Sequence, residues 1–235
     1  MPDTAETTAS SEATRVFRLY EDVLPAHGAP VYLPGVERSI YLVEGTVTVE
    51  FDTGAQAVPQ GSAWTGEHEL TVLTGAEPAR VWRWELQPAH RAGSGELRSA
   101  PHAESRLLLE REVSLDPDFT WLMRCDRVSF PPGGTAWTHM HQGPGIRCCL
   151  EGAITIETEG TTAVHRAGEA WFERGPSPVL APTTTETSTT FIRCFLLPRA
   201  LRGKSSLRYV LPEDAGKPKV QDYHVFCERV MAPGR

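Results

Sequence analysis

Two histidines one residue apart, His139 and His141, lie in the stretch Phe130 to Gly152, which reads FPPGGTAWTHMHQGPGIRCCLEG. Alternation in a strand sends residues i and i+2 to one face, so both imidazoles point at one spot, as a metal ion requires of a β scaffold. The run breaks at Gly143-Pro144-Gly145 and resumes as an apolar stretch ending at Glu151-Gly152. Stepping by two from Gly145 puts Arg147 and Cys149 on the same inward face. A buried guanidinium needs a partner: either a fixed carboxylate, for which Glu173 is available, or the carboxylate of a bound substrate. Trp137 and Trp171 flank the region, as walls of a substrate pocket or as core aromatics. For a third metal ligand the nearest polar side chains are Gln142 and Glu173. The carboxylate is the better donor, and its other role is general base.

The elements that must hold these residues show themselves as an internal repeat. SIYLVEGTVTVEFDTGAQAVPQGSAW aligns without a gap on IRCCLEGAITIETEGTTAVHRAGEAW, pairing Gly45 with Gly152, Gly61 with Gly168 and Trp64 with Trp171, each 107 residues apart. This spacing indicates two copies of one β unit of roughly 100 residues. Thr46 to Phe51 alternates as a strand, Leu122 to Phe130 reads as a strand leading into the histidines, and FIRCFLLP is an apolar run fit for a sheet buried on both faces. Ser105 to Leu115 fits a short helix or a strand equally well. The tail carries two more β-rich runs, RYVL and YHVFCERV, of the kind that extend a sheet or cover its edge. The first copy lacks the chemistry, since Tyr32 and Pro34 stand where the second has His139 and His141.

The 20 Gly and 19 Pro favour turns and strands over long helices. A net charge of −7 and a pI near 5.6 oppose binding to a nucleic-acid backbone. No apolar run approaches the roughly 18 residues of a membrane span, and the N-terminus lacks a secretory pattern, so the expected location is cytoplasmic. The five cysteines form no CxxC pair and lie mostly in apolar runs, which reads as buried reduced thiols rather than zinc ligands.

The order PPGG, HxH, Gly-Pro-Gly, LEG, then AGEAWFERGPSPV resembles the two motifs of the cupin superfamily, and with the repeat the chain looks like a bicupin over roughly residues 15 to 200. The resemblance implies an all-β fold, two jelly-roll (cupin) β-barrels in tandem. The expected division is a disordered leader over 1–14, a degenerate first barrel over 15–87, a linker over 88–104, the site-bearing barrel over 105–200 and an extension over 201–235. The family's metal set is the two histidines of the HxH, a Glu a few residues on and a third His. His139 and His141 match the pair, whereas Gly145 stands at the Glu position, and Val179 and Leu180 lie near the third His. Gly145 in place of Glu is expected to leave room above Arg147 for a small ligand.

The expected function is a metalloenzyme of oxygenase or isomerase type, using a divalent transition metal (Fe, Zn, Mn or Ni) on a small carboxylate-bearing molecule. Homodimerisation is expected from the family's habit. Two other readings are a bicupin that binds or senses a small anion without metal or catalysis, and an inert structural bicupin with a plugged interior.

Overall fold

The computed structural model describes residues 14–93 and 95–232. Apart from Thr14, the expected leader lies outside them. The chain divides into two compact units, Met1–Thr120 with Met231–Arg235, and Trp121–Val230. Among the described residues no helix is long and apolar enough to cross a membrane.

The first unit contains β1 (Thr14–Leu24), β2 (Val31–Leu33), β3 (Glu37–Glu44), β4 (Thr46–Phe51), β5 (Gly54–Pro59), β6 (Ala63–Gly66), β7 (Leu70–Thr74), β8 (Ala79–Pro88) and β9 (Glu104–Ser114). They form antiparallel sheets in the orders β6-β3-β8-β1-β9 and β2-β7-β4-β5. Alternation turns Leu24, Ile40 and Leu42 of the one sheet toward Val47, Val49 and Val72 of the other, and these side chains form a single apolar core. The segment with ambiguous periodicity is strand β9, which pairs with β1 and so belongs to the first unit instead of opening the second. Leu97 and Ala100, in the stretch expected as a linker, are buried in the same core, because burying their apolar surface pins the crossing chain.

The second unit contains β10 (Trp121–Phe130), β11 (Thr135–His141), β12 (Gly145–Glu151), β13 (Ala153–Thr158), β14 (Thr161–Arg166), β15 (Ala170–Glu173), β16 (Val179–Pro182), β17 (Thr189–Pro198), β18 (Leu207–Tyr209) and β19 (Asp222–Val230). Their antiparallel sheets run β15-β12-β17-β10-β19 and β14-β13-β16-β11-β18. The C-terminal run thus adds an edge strand to each sheet, β18 beside β11 and β19 beside β10. The glycine that anchors the repeat has a physical reason in both copies. Gly45 (φ 76°) and Gly152 (φ 74°) turn in the left-handed region, and a Cβ would lie 2.3 Å from Pro78 O in one and 2.4 Å from Ser188 O in the other.

The first unit has no histidine pair, yet its wall holds a buried ionic cluster. Arg83 Nε donates to Asp22 Oδ2 (2.6 Å) and its Nη1 to Glu85 Oε1 (2.7 Å), and Arg38 Nε donates to the same Glu85 oxygen (2.8 Å). Two guanidiniums and two carboxylates cancel. Burial alone would raise the Glu85 carboxyl, but Arg38 and Arg83 outweigh it and hold the group down at about 2. Replacing Glu85 by Gln leaves Arg38 a buried cation without a carboxylate while Arg83 keeps Asp22, and the expected loss is about 3–5 kcal/mol of stability, read by urea unfolding. Because the folded carboxyl titrates below its ordinary 4.5, the Glu85 contribution is complete above that pH and disappears as pH falls toward 2. The stability difference between wild type and Glu85→Gln should therefore shrink in acid.

Candidate functional site

Strand β11 delivers both histidines. Its register with β16 shifts between Ala136 and His139, and with this irregularity both Ala136 and His139 face the interior. Trp137 is turned away: its ring lies under Lys217 Nζ, 4.0 Å from the ring centre, so it does not form the expected pocket wall. On the other side β18 pairs His139 with Tyr209 and His141 with Leu207. The one-turn helix α1 (Pro212–Ala215) adds Asp214, whose Oδ2 accepts from the Thr138 backbone N–H at 3.1 Å.

Both imidazoles are buried and each has its Nδ1 engaged. His139 Nδ1 donates to Trp137 O at 2.7 Å, which places the proton there and leaves the Nε2 lone pair open. His141 Nδ1 faces the buried Ser206 hydroxyl at 3.2 Å. Burial lowers the pKa of His139 against the pull of Glu173, and it lowers that of His141 further, with Arg193 reinforcing the effect. Both rings are neutral donors at neutral pH.

Glu173 lies directly across from Gly145 in the β12–β15 ladder, so the carboxylate approaches from the neighbouring strand at the position where the resemblance placed a ligand on β12. Trp171 Nε1 donates to Glu173 Oε1 at 2.9 Å, and Oε2 lies 2.7 Å from Arg147 Nη2 and 3.9 Å from His141 Nε2. The contact with Arg147 is close but lacks hydrogen-bond alignment, and Oε2 is buried without an aligned donor. Arg147 Nη1 donates to Gly145 O at 2.5 Å, and its guanidinium stacks on Phe195, 4.6 Å from the ring centre. Burial pulls this group down to about 10, with Glu173 opposing and Arg193 adding to the shift.

The space freed by Gly145 is not open to a ligand. A Cβ there would meet Phe195 Cδ1 at 2.7 Å, Cys194 O at 2.8 Å and Arg147 Nη1 at 3.0 Å, so the glycine is needed to admit the arginine and the phenylalanine. Arg147 is correspondingly absent from the cavity lining and lies against Glu173 as its internal partner.

The cavity itself is bounded by His139, His141, Trp171, Glu173, Arg193 and Tyr223 above a floor of apolar side chains. It is small, with room for little more than one water-sized group. Arg193, which sequence reasoning missed, is its cation: Nε and Nη2 grip Asp126 at 2.5 and 3.1 Å, and the guanidinium lies 4.4 Å from the Phe195 ring centre. The available signal was a lone charge inside FIRCFLLP. Cys149 belongs to the apolar core and does not line the cavity, and burial pushes its thiol up to about 12. Gln142 is directed elsewhere: its amide lies against Arg208, and with the amide turned so that its oxygen faces the guanidinium it accepts from Nε (2.7 Å) and Nη2 (2.6 Å).

Among the described residues, His139, His141 and Glu173 are the one group of three or more His, Cys, Asp or Glu side chains with donor atoms mutually within 4.8 Å. Ligands held about 2.0–2.2 Å from one ion are at most about 4.4 Å apart, so side-chain movements of under about 1 Å bring the trio onto a cation. Two neutral imidazoles and a carboxylate oxygen lacking an aligned donor fit a divalent transition metal chemically. Because Gly145 has no room for a side chain, Gly145→Ala is expected to cost about 1–3 kcal/mol in urea unfolding.

No family model matches the chain, and no curated protein matches it in sequence. Solved structures do. A deletion mutant of Bacillus subtilis oxalate decarboxylase superposes with a TM-score of 0.58 at 11% identity, covering 86% of this chain and 73% of that one. AerE from Microcystis aeruginosa gives 0.55 at 12% identity over 78% of this chain and 88% of that one. The 11S allergen of Cocos nucifera gives 0.55 at 10% identity over 86% of each. At these identities the likeness shows the fold alone: the chain has the all-β fold of two double-sheet barrels in tandem that the resemblance to bicupins implied.

Proposed function

We propose that the second barrel is the centre of a metal-dependent enzyme in which His139, His141 and Glu173 hold one divalent transition metal and the substrate is a small carboxylate-bearing anion. The observation that carries this reading is the buried Glu173 Oε2, left without an aligned donor and directed at two neutral imidazoles. When bound, such a cation supplies Lewis-acid or redox chemistry of the kind oxygenases and isomerases use. The protein's own part is positioning. Trp171 fixes Glu173 through Oε1, Ser206 and the Trp137 carbonyl fix the two rings, and the apolar floor excludes water.

Charge bookkeeping supports an anionic substrate. Arg147 with Glu173 and Arg193 with Asp126 cancel, and the imidazoles are neutral, so a divalent ion leaves the cavity with two uncompensated positive charges. The same sum weighs against anion binding without metal, because the metal-free site has no net charge to offer. The small cavity favours a compact ligand.

The test is elemental analysis of protein purified without a nickel column, followed by metal titration. About one equivalent of a transition metal per chain is expected, falling to under about a tenth in His139→Ala and His141→Ala. Failure of folded wild-type protein to retain or take up any such metal would overturn the reading. Trp171→Phe and Ser206→Ala should weaken the measured affinity by about 10- to 100-fold without abolishing binding. Calorimetric titration with formate, acetate and oxalate should show binding to the loaded protein and none after chelation.

A further inference from the structure

Three of the five cysteines stand in one row across the second unit, a feature the metal centre does not use. In the β10–β17 ladder Cys125 is directly opposite Cys194, and in the β10–β19 ladder Cys125 is directly opposite Cys227. Directly opposed residues in antiparallel strands have Cα atoms about 4.5 or 5.5 Å apart, within the range a disulfide spans. The two opposed pairs differ in setting. Cys194 lies on β17, which is flanked by strands on both sides, and it is fully buried. Cys227 lies on the edge strand β19 and is half-buried, and the β10–β19 register shifts immediately beside it, between Cys125 and Asp126. An edge strand with an irregularity at that point can adjust to the dihedral a disulfide demands, whereas a strand held on both sides resists.

We propose that Cys125 and Cys227 form a peroxide-oxidisable dithiol, with Cys227 as the thiol that meets the oxidant and Cys125 as the one that resolves it. A hydroperoxide transfers one oxygen to the Cys227 sulfur, giving a sulfenic acid and, from hydrogen peroxide, one water. The Cys125 sulfur then attacks the Cys227 sulfur, the S–O bond breaks, and the hydroxide leaves with the Cys125 proton as a second water. Two thiols have lost two electrons to the peroxide, and the product is a cross-strand disulfide joining β19 to β10. The strand so tied carries Tyr223, a residue of the cavity wall. The inference stands whether or not a metal binds at the histidines.

The experiment is treatment of the folded full-length protein with a few equivalents of hydrogen peroxide, followed by alkylation under denaturing conditions, intact mass measurement and peptide mapping. The expected result is a mass lower by about 2 Da before alkylation, loss of two of the five alkylatable thiols, and a peptide linking Cys125 to Cys227, all reversed by a dithiol reductant. Cys194→Ser should retain the change, while Cys227→Ser should lose it. Retention of all five thiols, oxygen addition at Cys227 without a link, a bond between two chains, or a link that uses Cys148, Cys149 or Cys194 would each overturn the assignment. Mapping of the wild-type protein decides this even where a variant fails to fold.

Discussion

A charge inside a β-barrel wall must be neutralised where it stands, and both units are arranged around that requirement. In the first, Arg83 and Arg38 are neutralised by Asp22 and Glu85. In the second, Arg193 is gripped by Asp126 and Arg147 lies against Glu173. A buried pair is a poor source of stability, since the desolvation of two ions offsets most of their attraction, but removing one member leaves a stranded charge that costs far more. The pairs are therefore mutually dependent, and the polar interior of each unit stands or falls as a set.

The two interiors use this requirement differently. In the first unit Arg83 binds both carboxylates, Arg38 shares one of them while its Nη1 stays without a partner, and the core is filled mainly with aliphatic side chains. The second leaves one carboxylate oxygen imperfectly satisfied beside two imidazoles whose Nδ1 atoms are already engaged. The difference between a plugged barrel and a potential metal centre thus amounts to one oxygen atom and two lone pairs, set in otherwise similar frames.

The fold was legible because its signals are local or periodic. The glycines at 45 and 152 are dictated by a left-handed turn against a neighbouring carbonyl, so they recur at a constant offset and reveal the repeat. His139 and His141 were legible because two residues in one strand carry their geometry in their spacing. Glu173 was visible as a residue, but its placement opposite Gly145 depends on strand pairing, which single-strand alternation does not encode. Arg193 and Asp126 were missed for a related reason. The gap-free offset of 107 stops at Trp171, and beyond it a three-residue longer loop shifts the match, so that Arg193 corresponds to Arg83 and Pro198 to Pro88. Ser206 had no signal at all, because it reaches His141 from a segment 65 residues away.

The opposition of Gly145 and Glu173 also constrains how this site can change over generations. In the first unit the corresponding cross-strand pair is Arg38 and Gly66, again one large polar residue facing a glycine. Moving the carboxylate from β15 to β12 therefore takes two exchanges. Whichever comes first leads through a poor intermediate: either two acidic side chains compete for space beside Phe195, or Arg147 is left buried with no carboxylate at all. Either intermediate is expected to lose stability, so single substitutions hold the acid on β15.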